Sequence, residues 1–368
     1  MAATTQTIPL FKVFMSEDID QPLLQTVKSG FIGQGPRVEE FEEALRPWVG
    51  RKNILTLNSG TSAIHLAFHM AGVGPGDEVI STAMTCTATN EPILALGAKI
   101  VWADIDPWTG NISPESVEKK ITSKTKAIII VHWGGYPSDI EELNRIAKLH
   151  NIPVIEDAAH AFGAVYKNAK VGSHSDFVCF SFQAIKHMTC GDGGLLTCGS
   201  QASYRRGKLL RWYGIDRESP RKDFRCEEDI VEFGYKFHMN DISATIGTVN
   251  LKKADWVIGR HRKNAEYFRQ HLKHADISLL KYATDRTSSY WLFTLRHRRR
   301  DLFMKYMAEN GIAVSQVHAR NDTHTMMKAF RADLPGVDEF CREQVSIPVG
   351  WWLTDKDVEH IVKTANAF

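Results

Sequence analysis

The chain has 368 residues, of which 43% are hydrophobic and 24% charged, with a formal net charge of +2 at pH 7. This is the composition of an ordinary globular protein, too long for one hydrophobic core, so a large domain over residues 1–255 and a smaller one over 256–368 are expected. The balanced charge argues against nucleic acid as a partner, and no window has the length and apolarity of a membrane span or secretion signal, so a cytoplasmic location is expected.

In chain order, residues 16–30 read as a helix closed by Gly30, and the loop FIGQGP follows. Val38, Phe41 and Leu45 sit at helical spacing in a second helix, 38–50. In NILTLNSGTSAIHLAFHMAG a strand at 53–57 runs through Asn58-Ser59-Gly60 into a helix starting near Thr61. Free N–H groups at such a helix start suit an anion such as phosphate, and Thr61 and Ser62 add hydroxyl donors. Strand-like segments at 78–82, 99–105, 127–133 and 152–157 then alternate with helices. Ser113-Pro114-Glu115 opens one of these, and Ser138 with Glu141 forms the capping box of another that ends at His150. This alternation predicts an α/β fold with a mostly parallel sheet covered by helices on both faces.

The stretch DFVCFSFQAIKHMTCGDGG, Asp176 to Gly194, reads as a buried strand ending at Ser181-Phe182, with Lys186 just beyond it and a glycine turn at Gly191–Gly194. Ligands bind at that end of the strands in open α/β sheets, and a desolvated lysine there has its pKa lowered toward use as a nucleophile or base. A lone loop lysine is more often simply solvated. The glycine turn either lets backbone pass close to a ligand or only returns the chain to the sheet. Beyond it come a charged loop, RESPRKDFRCEED, and a helical GYKFHMNDISATIGTVNL. The C-terminal part alternates helix, strand (290–295), helix, strand (311–317) and a last helix after Leu353. The basic run Arg296–Arg300 reads as a solvated turn, Trp351-Trp352 as packing, and His318 and His324 as part of a polar loop that either faces the substrate or lies at the surface. The six cysteines, Cys86, Cys179, Cys190, Cys198, Cys226 and Cys341, lack metal-site spacing and are read as reduced thiols.

Gly60-Thr61-Ser62, Asp157, His160, Ser181 and Lys186 thus fall at strand ends or helix starts of one sheet. Singly, Asp157 reads as a cap, His160 as a core histidine and Ser181 as a turn residue. Together they match the needs of pyridoxal phosphate: a lysine to carry it, a carboxylate for the pyridinium nitrogen, and a helix start with hydroxyls for the phosphate.

The motifs NSGTSAIHLA, VIEDAAHAFGA, FSFQAIKHMTCGDGG, GYKFHMND and SIPVGWWLT, with SGFIGQGPRVEEFE near the start, resemble the DegT/DnrJ/EryC1/StrS sugar aminotransferases in order and across the chain. The resemblance implies the aspartate aminotransferase fold (fold type I), with pyridoxal 5'-phosphate as cofactor and pyridoxamine phosphate as its intermediate form. It makes Lys186 the cofactor-carrying lysine, Asp157 the pyridinium partner, and places His160 near the ring hydroxyl, with Thr61, Ser62 and Ser181 at the phosphate. Two positions depart from the family pattern. Lys236 stands where an asparagine often reaches the phosphate of the neighbouring subunit, and Cys86 where many members stack an aromatic side chain on the ring. Members that aminate C-4 of nucleotide-linked 4-keto-6-deoxy sugars with glutamate look most similar, which implies a homodimer with active sites at the subunit interface; C-3 amination is the alternative. A family dehydratase would carry histidine in place of Lys186, a non-catalytic relative would lack Lys186 or Asp157, and no GxGxxG follows an early strand as a nicotinamide dehydrogenase needs.

Overall fold

The computed structural model describes residues 7–220, 223 and 229–368, so Cys226 and the middle of the charged loop lie outside the described residues. Short helix α1 (Asp20–Lys28) is followed by α2 (Pro36–Val49), which begins on a proline and is closed by Gly50 in the left-handed conformation. Then β1 (Ile54–Leu57), α3 (Gly60–Met70), β2 (Glu78–Thr82), α4 (Thr87–Ala95), β3 (Lys99–Ala103), α5 (Pro114–Lys120), β4 (Thr125–Val131), α6 (Ile140–Leu149) and β5 (Val154–Asp157) alternate. A hairpin, β6 (Val165–Tyr166) and β7 (Ala169–Lys170), precedes β8 (Phe177–Ser181) and β9 (Gly194–Cys198), and α7 (Gln201–Leu210) and α8 (Asp241–Leu251) come next. α9 (Ala254–His271) runs across the point where the sequence suggests a change of domain. The rest comprises β10 (Ile277–Leu279), β11 (Arg286–Thr287), β12 (Phe293–His297), α10 (Arg300–Glu309), α11 (Pro335–Glu343), β13 (Gln344–Ile347) and α12 (Asp355–Asn366).

The main sheet has seven strands in the order β1-β9-β8-β5-β4-β2-β3, and β9 alone runs antiparallel to its neighbours. The fold is therefore α/β with a mostly parallel sheet. Ile128, Ile129 and Ile130 of β4 are fully buried, as a strand covered on both faces requires. One face packs under α3 through Ala63, Leu66 and Ala67, the other under α2 and α8 through Phe41, Leu45 and Ala244. A second antiparallel sheet, β10-β12-β13, has its own core of Phe268, Leu295, Phe303 and Ile361. Because β1 and β8 are both antiparallel to β9, Leu57, Gly194 and Ser181 stand abreast at one sheet edge, and Asp157 ends β5 two pairs along β8, opposite Cys179.

Two local expectations fail and a third holds only in part. Ser138 does not cap α6: Asp139 holds that position, and the buried Ser138 hydroxyl donates to the Val131 carbonyl while its N–H donates to His132 Nδ1. Residues 311–317 form no strand; that segment pairs with its neighbours in two isolated bridges, Ile8–Ile312 and Ser315–Ser346. The basic run is a solvated turn only at the exposed Arg298 and Arg299, since Arg296 and His297 are the buried end of β12. The Arg296 guanidinium pairs with Glu339 and Glu343 and lies 4.2 Å over the Trp108 ring, which gives a buried cation both counter-charge and an aromatic face.

Candidate active site

Ser59 opens α3 by accepting from the Ser62 N–H at 3.0 Å. The first two helical N–H groups, of Gly60 and Thr61, precede any intrahelical bond and are available to an anion. Thr61 is exposed, whereas Ser62 is buried with its hydroxyl 2.9 Å from that of Ser59. This helix start sits hard against β8 and β9. A Cβ on Gly60 would lie 2.9 Å from Ser181 Cβ, and one on Gly194 would lie 2.2 Å from the Ser59 carbonyl oxygen. The glycine turn therefore both returns the chain to the sheet as β9 and lets the Ser59–Gly60 turn nest beside Ser181.

Asp157 is buried at the end of β5. Its Oδ2 accepts from Thr89 Oγ1 at 2.6 Å and its Oδ1 from the Ala159 N–H at 3.0 Å. Burial raises its pKa above the ordinary aspartate value, and these two hydrogen bonds and the charge of Lys186 only partly offset it. Among the described residues, no ion pair engages Asp157. Lys186 lies half-buried beyond β8, its Nζ 3.5 Å from the centroid of the Trp291 ring. Burial of the amine lowers its pKa to about 8, against the opposing pull of Asp157 and Cys86.

His160 stacks on Trp291 with ring centroids 3.9 Å apart, and its buried Nδ1 has no hydrogen-bond partner among the described residues. Burial and then the nearby Lys186 charge hold it well below the ordinary histidine range. The His318 ring lies parallel to that of His160 at 5.7 Å, its Nε2 also without a partner, and burial lowers its pKa to about 4. Two neutral imidazoles thus border the lysine. Cys86, at the N-cap of α4, is near enough for its charge to act on Lys186.

The structure thus groups Lys186, Asp157, His160 and Cys86, and packs Gly60 against Ser181. Thr61 and Ser62 open the same helix. Lys236 stands apart: exposed, it joins the end of β1 only through its carbonyl, which accepts from Asn58 Nδ2 at 3.2 Å. Trp291 and Thr89 were not singled out from the sequence. Trp291 lies in an apolar run that reads as strand, yet β12 starts only at Phe293, and Tyr290 at φ 52° bends the chain so that Trp291 Nε1 donates to the Ile185 carbonyl. Thr89 has only a weak signal, as a hydroxyl three residues into a helix that starts at a strand end.

This donor set fits a pyridine phosphate held by a lysine. A buried carboxylate with no ion pair among the described residues suits a pyridinium nitrogen, the His160 ring beside Lys186 carries a buried nitrogen without a partner there, and the α3 start supplies anion donors. Sheet and site define a fold type I transferase. Residues 14–366 match the DegT/DnrJ/EryC1/StrS aminotransferase family, and the chain belongs to it. It is similar to the solved structure of AtS13 from Actinomadura melliaura, with 41% identity, TM-score 0.96 and coverage of 99% of this chain and 100% of that one. The sugar aminotransferase CalS13 from Micromonospora echinospora is 38% identical, with TM-score 0.94 and coverage of 98% and 99%. The sugar aminotransferase described as putative, Spr1654 from Streptococcus pneumoniae, solved in its PLP form, is 29% identical, with TM-score 0.90 and 98% coverage of each chain. The protein is accordingly a pyridoxal phosphate-dependent sugar aminotransferase. Among the described residues no helix is long and apolar enough to cross a membrane.

Proposed function

We propose that this enzyme moves an amino group from glutamate to the C-4 keto carbon of a nucleotide-linked 4-keto-6-deoxy sugar, acting as a homodimer. The observation that carries the catalytic part is the half-buried Lys186, its amine lowered to about 8, close to a buried Asp157 that has no ion-pair partner among the described residues. The bound pyridoxal ring supplies an electron sink for the carbanion at the substrate carbon. Asp157 holds the proton on the ring nitrogen, and His160 offers its free Nδ1 to the ring hydroxyl. The Gly60 and Thr61 N–H groups, with the Thr61, Ser62 and Ser181 hydroxyls, orient the phosphate. Lys186 carries the cofactor and, once released, takes the proton from the donor's α-carbon as a free base and returns it on the other side of the exchange. An amine at about 8 is free base to a useful fraction near neutrality; one near 10.5 is not.

Lys236 supports the dimer reading, because it is exposed beside the end of β1 and no ion pair engages its ammonium among the described residues, as a contact with the phosphate of a neighbouring subunit would require. Cys86 at the N-cap of α4 gives the ring a small, polarisable neighbour where relatives stack an aromatic. The C-4 and glutamate assignments rest on the motif resemblance.

Purified protein given pyridoxal phosphate should develop a visible band that borohydride fixes, with the added mass on the peptide containing Lys186. Absence of both results removes Lys186 from its role. A panel of dTDP-, UDP- and GDP-linked 4-keto and 3-keto sugars, with glutamate, tests the substrate; amination of only 3-keto sugars overturns the C-4 assignment.

A further inference from the structure

Behind Asp157 lies a line of buried polar groups that reaches the loop carrying His318. Thr89 Oγ1 donates to Asp157 Oδ2 at 2.6 Å and stands 2.9 Å from Thr85 Oγ1. Both threonines are inaccessible to solvent. A hydroxyl has one proton, and an ionised carboxylate has none to give. The Thr89 proton is therefore committed to Asp157, and Thr85 must donate to Thr89. The Thr85 carbonyl in turn accepts from Asn321 Nδ2 at 2.7 Å, and Asn321 Oδ1 accepts from Asn90 Nδ2 at 2.8 Å. The Asn321 N–H donates to the Ala83 carbonyl at 2.7 Å. Asn321 follows His318 by three residues, so one buried asparagine fastens the histidine's loop to the start of α4.

We propose that Thr89 is a positioning residue for the cofactor: donating through a one-way hydroxyl relay from Thr85, it keeps the Asp157 carboxylate ionised and turned toward the pyridinium nitrogen. This rests on the reading of Asp157 as the ring-nitrogen partner. The geometry favours it because each carboxylate oxygen has one fixed donor, from two different elements, which fixes the carboxylate plane. A short bond to an ionised acceptor is also the stronger kind. The charged and titratable groups around Asp157 are Lys186 and His132, which favour its charged form, and the Cys179 thiol on β8. None of them replaces a hydroxyl donor at Oδ2.

The test compares Thr89→Val, which keeps the shape and removes the hydroxyl, with Thr89→Ser, which keeps the hydroxyl. Pyridoxal phosphate is titrated into the cofactor-free protein at several pH values and binding is read by fluorescence quenching. Loss of a hydrogen bond to a charged group should weaken binding by Thr89→Val about ten- to a hundredfold, and Thr89→Ser should restore it. The acid limb of binding should also move to higher pH in Thr89→Val, because a carboxylate that loses a donor is protonated at higher pH. Thr85→Val, which leaves Asp157 its direct bond, should move both readouts the same way by less, and it decides the matter if Thr89→Val does not fold. Wild-type binding and acid limb in both valine variants, or Thr89→Ser as weak as Thr89→Val, would overturn the role. Asp157→Asn is titrated in parallel. If it too binds as wild type, the reading of Asp157 itself has failed; if it alone is impaired, only the relay has.

Discussion

Glu156 and Asp157 are adjacent carboxylates on one strand, both buried, and they differ in almost everything else. Successive strand residues point to opposite sheet faces, so Glu156 looks away from Lys186. It accepts from His132 Nε2 at 2.9 Å, and since His132 Nδ1 accepts from the Ser138 N–H, the imidazole proton sits on Nε2 and points at Glu156. Burial pushes Glu156 up, but the effects led by its hydrogen bond with His132 outweigh it, and its pKa ends below the ordinary value. Asp157 has two hydrogen bonds, neither from an imidazole, and it ends above. A buried acid matched inside the protein is a structural element. A buried acid left short of positive charge at the same depth is suited to a cationic ligand.

The largest expected effect lies on the Asp157 face. Lys186→Ala should lower turnover by about 10⁴-fold, the upper range for a positioned acid-base group, with cofactor still binding; retained turnover would break the assignment. Next in size is the reactivity of the amine itself. In cofactor-free protein at pH 7, Lys186 should react with an acylating reagent about 10²-fold faster than a solvated lysine, with a midpoint near 8. Asp157→Asn should lower that midpoint, because the aspartate charge raises the amine, whereas Glu156→Gln should leave it in place. A midpoint near 10.5 would return Lys186 to an ordinary surface lysine.

The two acids can also be exchanged directly. Asp157→Asn should cost about 10²-fold in turnover while leaving the cofactor-free protein as stable as before or more so, since it removes an uncompensated buried charge. Glu156→Gln should do the reverse and destabilise by about 2 kcal/mol, the range for weakening a hydrogen bond to a charged group, with cofactor binding little changed. Urea unfolding and cofactor titration of both variants decide this. Equal profiles would mean that the two faces of β5 do not differ as their partners indicate.

Much of this arrangement is legible in the sequence because it follows local rules. Alternation of apolar strands and capped helices predicts the parallel sheet, and a strand running through Asn58-Ser59-Gly60 into a helix predicts the anion-binding start. Misread segments depend on tertiary context. Ser138 has the spacing of a capping box, but its hydroxyl is claimed by the Val131 carbonyl across the turn. Arg296 and His297 are polar, yet β12 buries them because Glu339, Glu343 and Trp108 are brought up from elsewhere in the chain. Trp291 had no local signal and Thr89 only a weak one, since their meaning lies in contacts with Lys186 and Asp157, which are 105 and 68 positions away in the chain.

The smallest expected effect is the most discriminating, because the two acids should tilt the pH dependence of stability in opposite directions. Asp157 has a raised pKa in the folded state, so between its unfolded value of 3.8 and the folded value the native protein binds more protons. Stability therefore falls as pH rises through that window, and Asp157→Asn should gain on the wild type over the same range. Glu156 has a lowered folded pKa, so its contribution is fully present above 4.5 and is lost as pH falls through the folded value. The deficit of Glu156→Gln should thus be constant at neutral pH and shrink in acid. Measured by urea unfolding of cofactor-free protein from pH 4 to 7, the two differences from wild type should diverge; parallel curves would show that Asp157, like Glu156, already has its counter-charge within the protein.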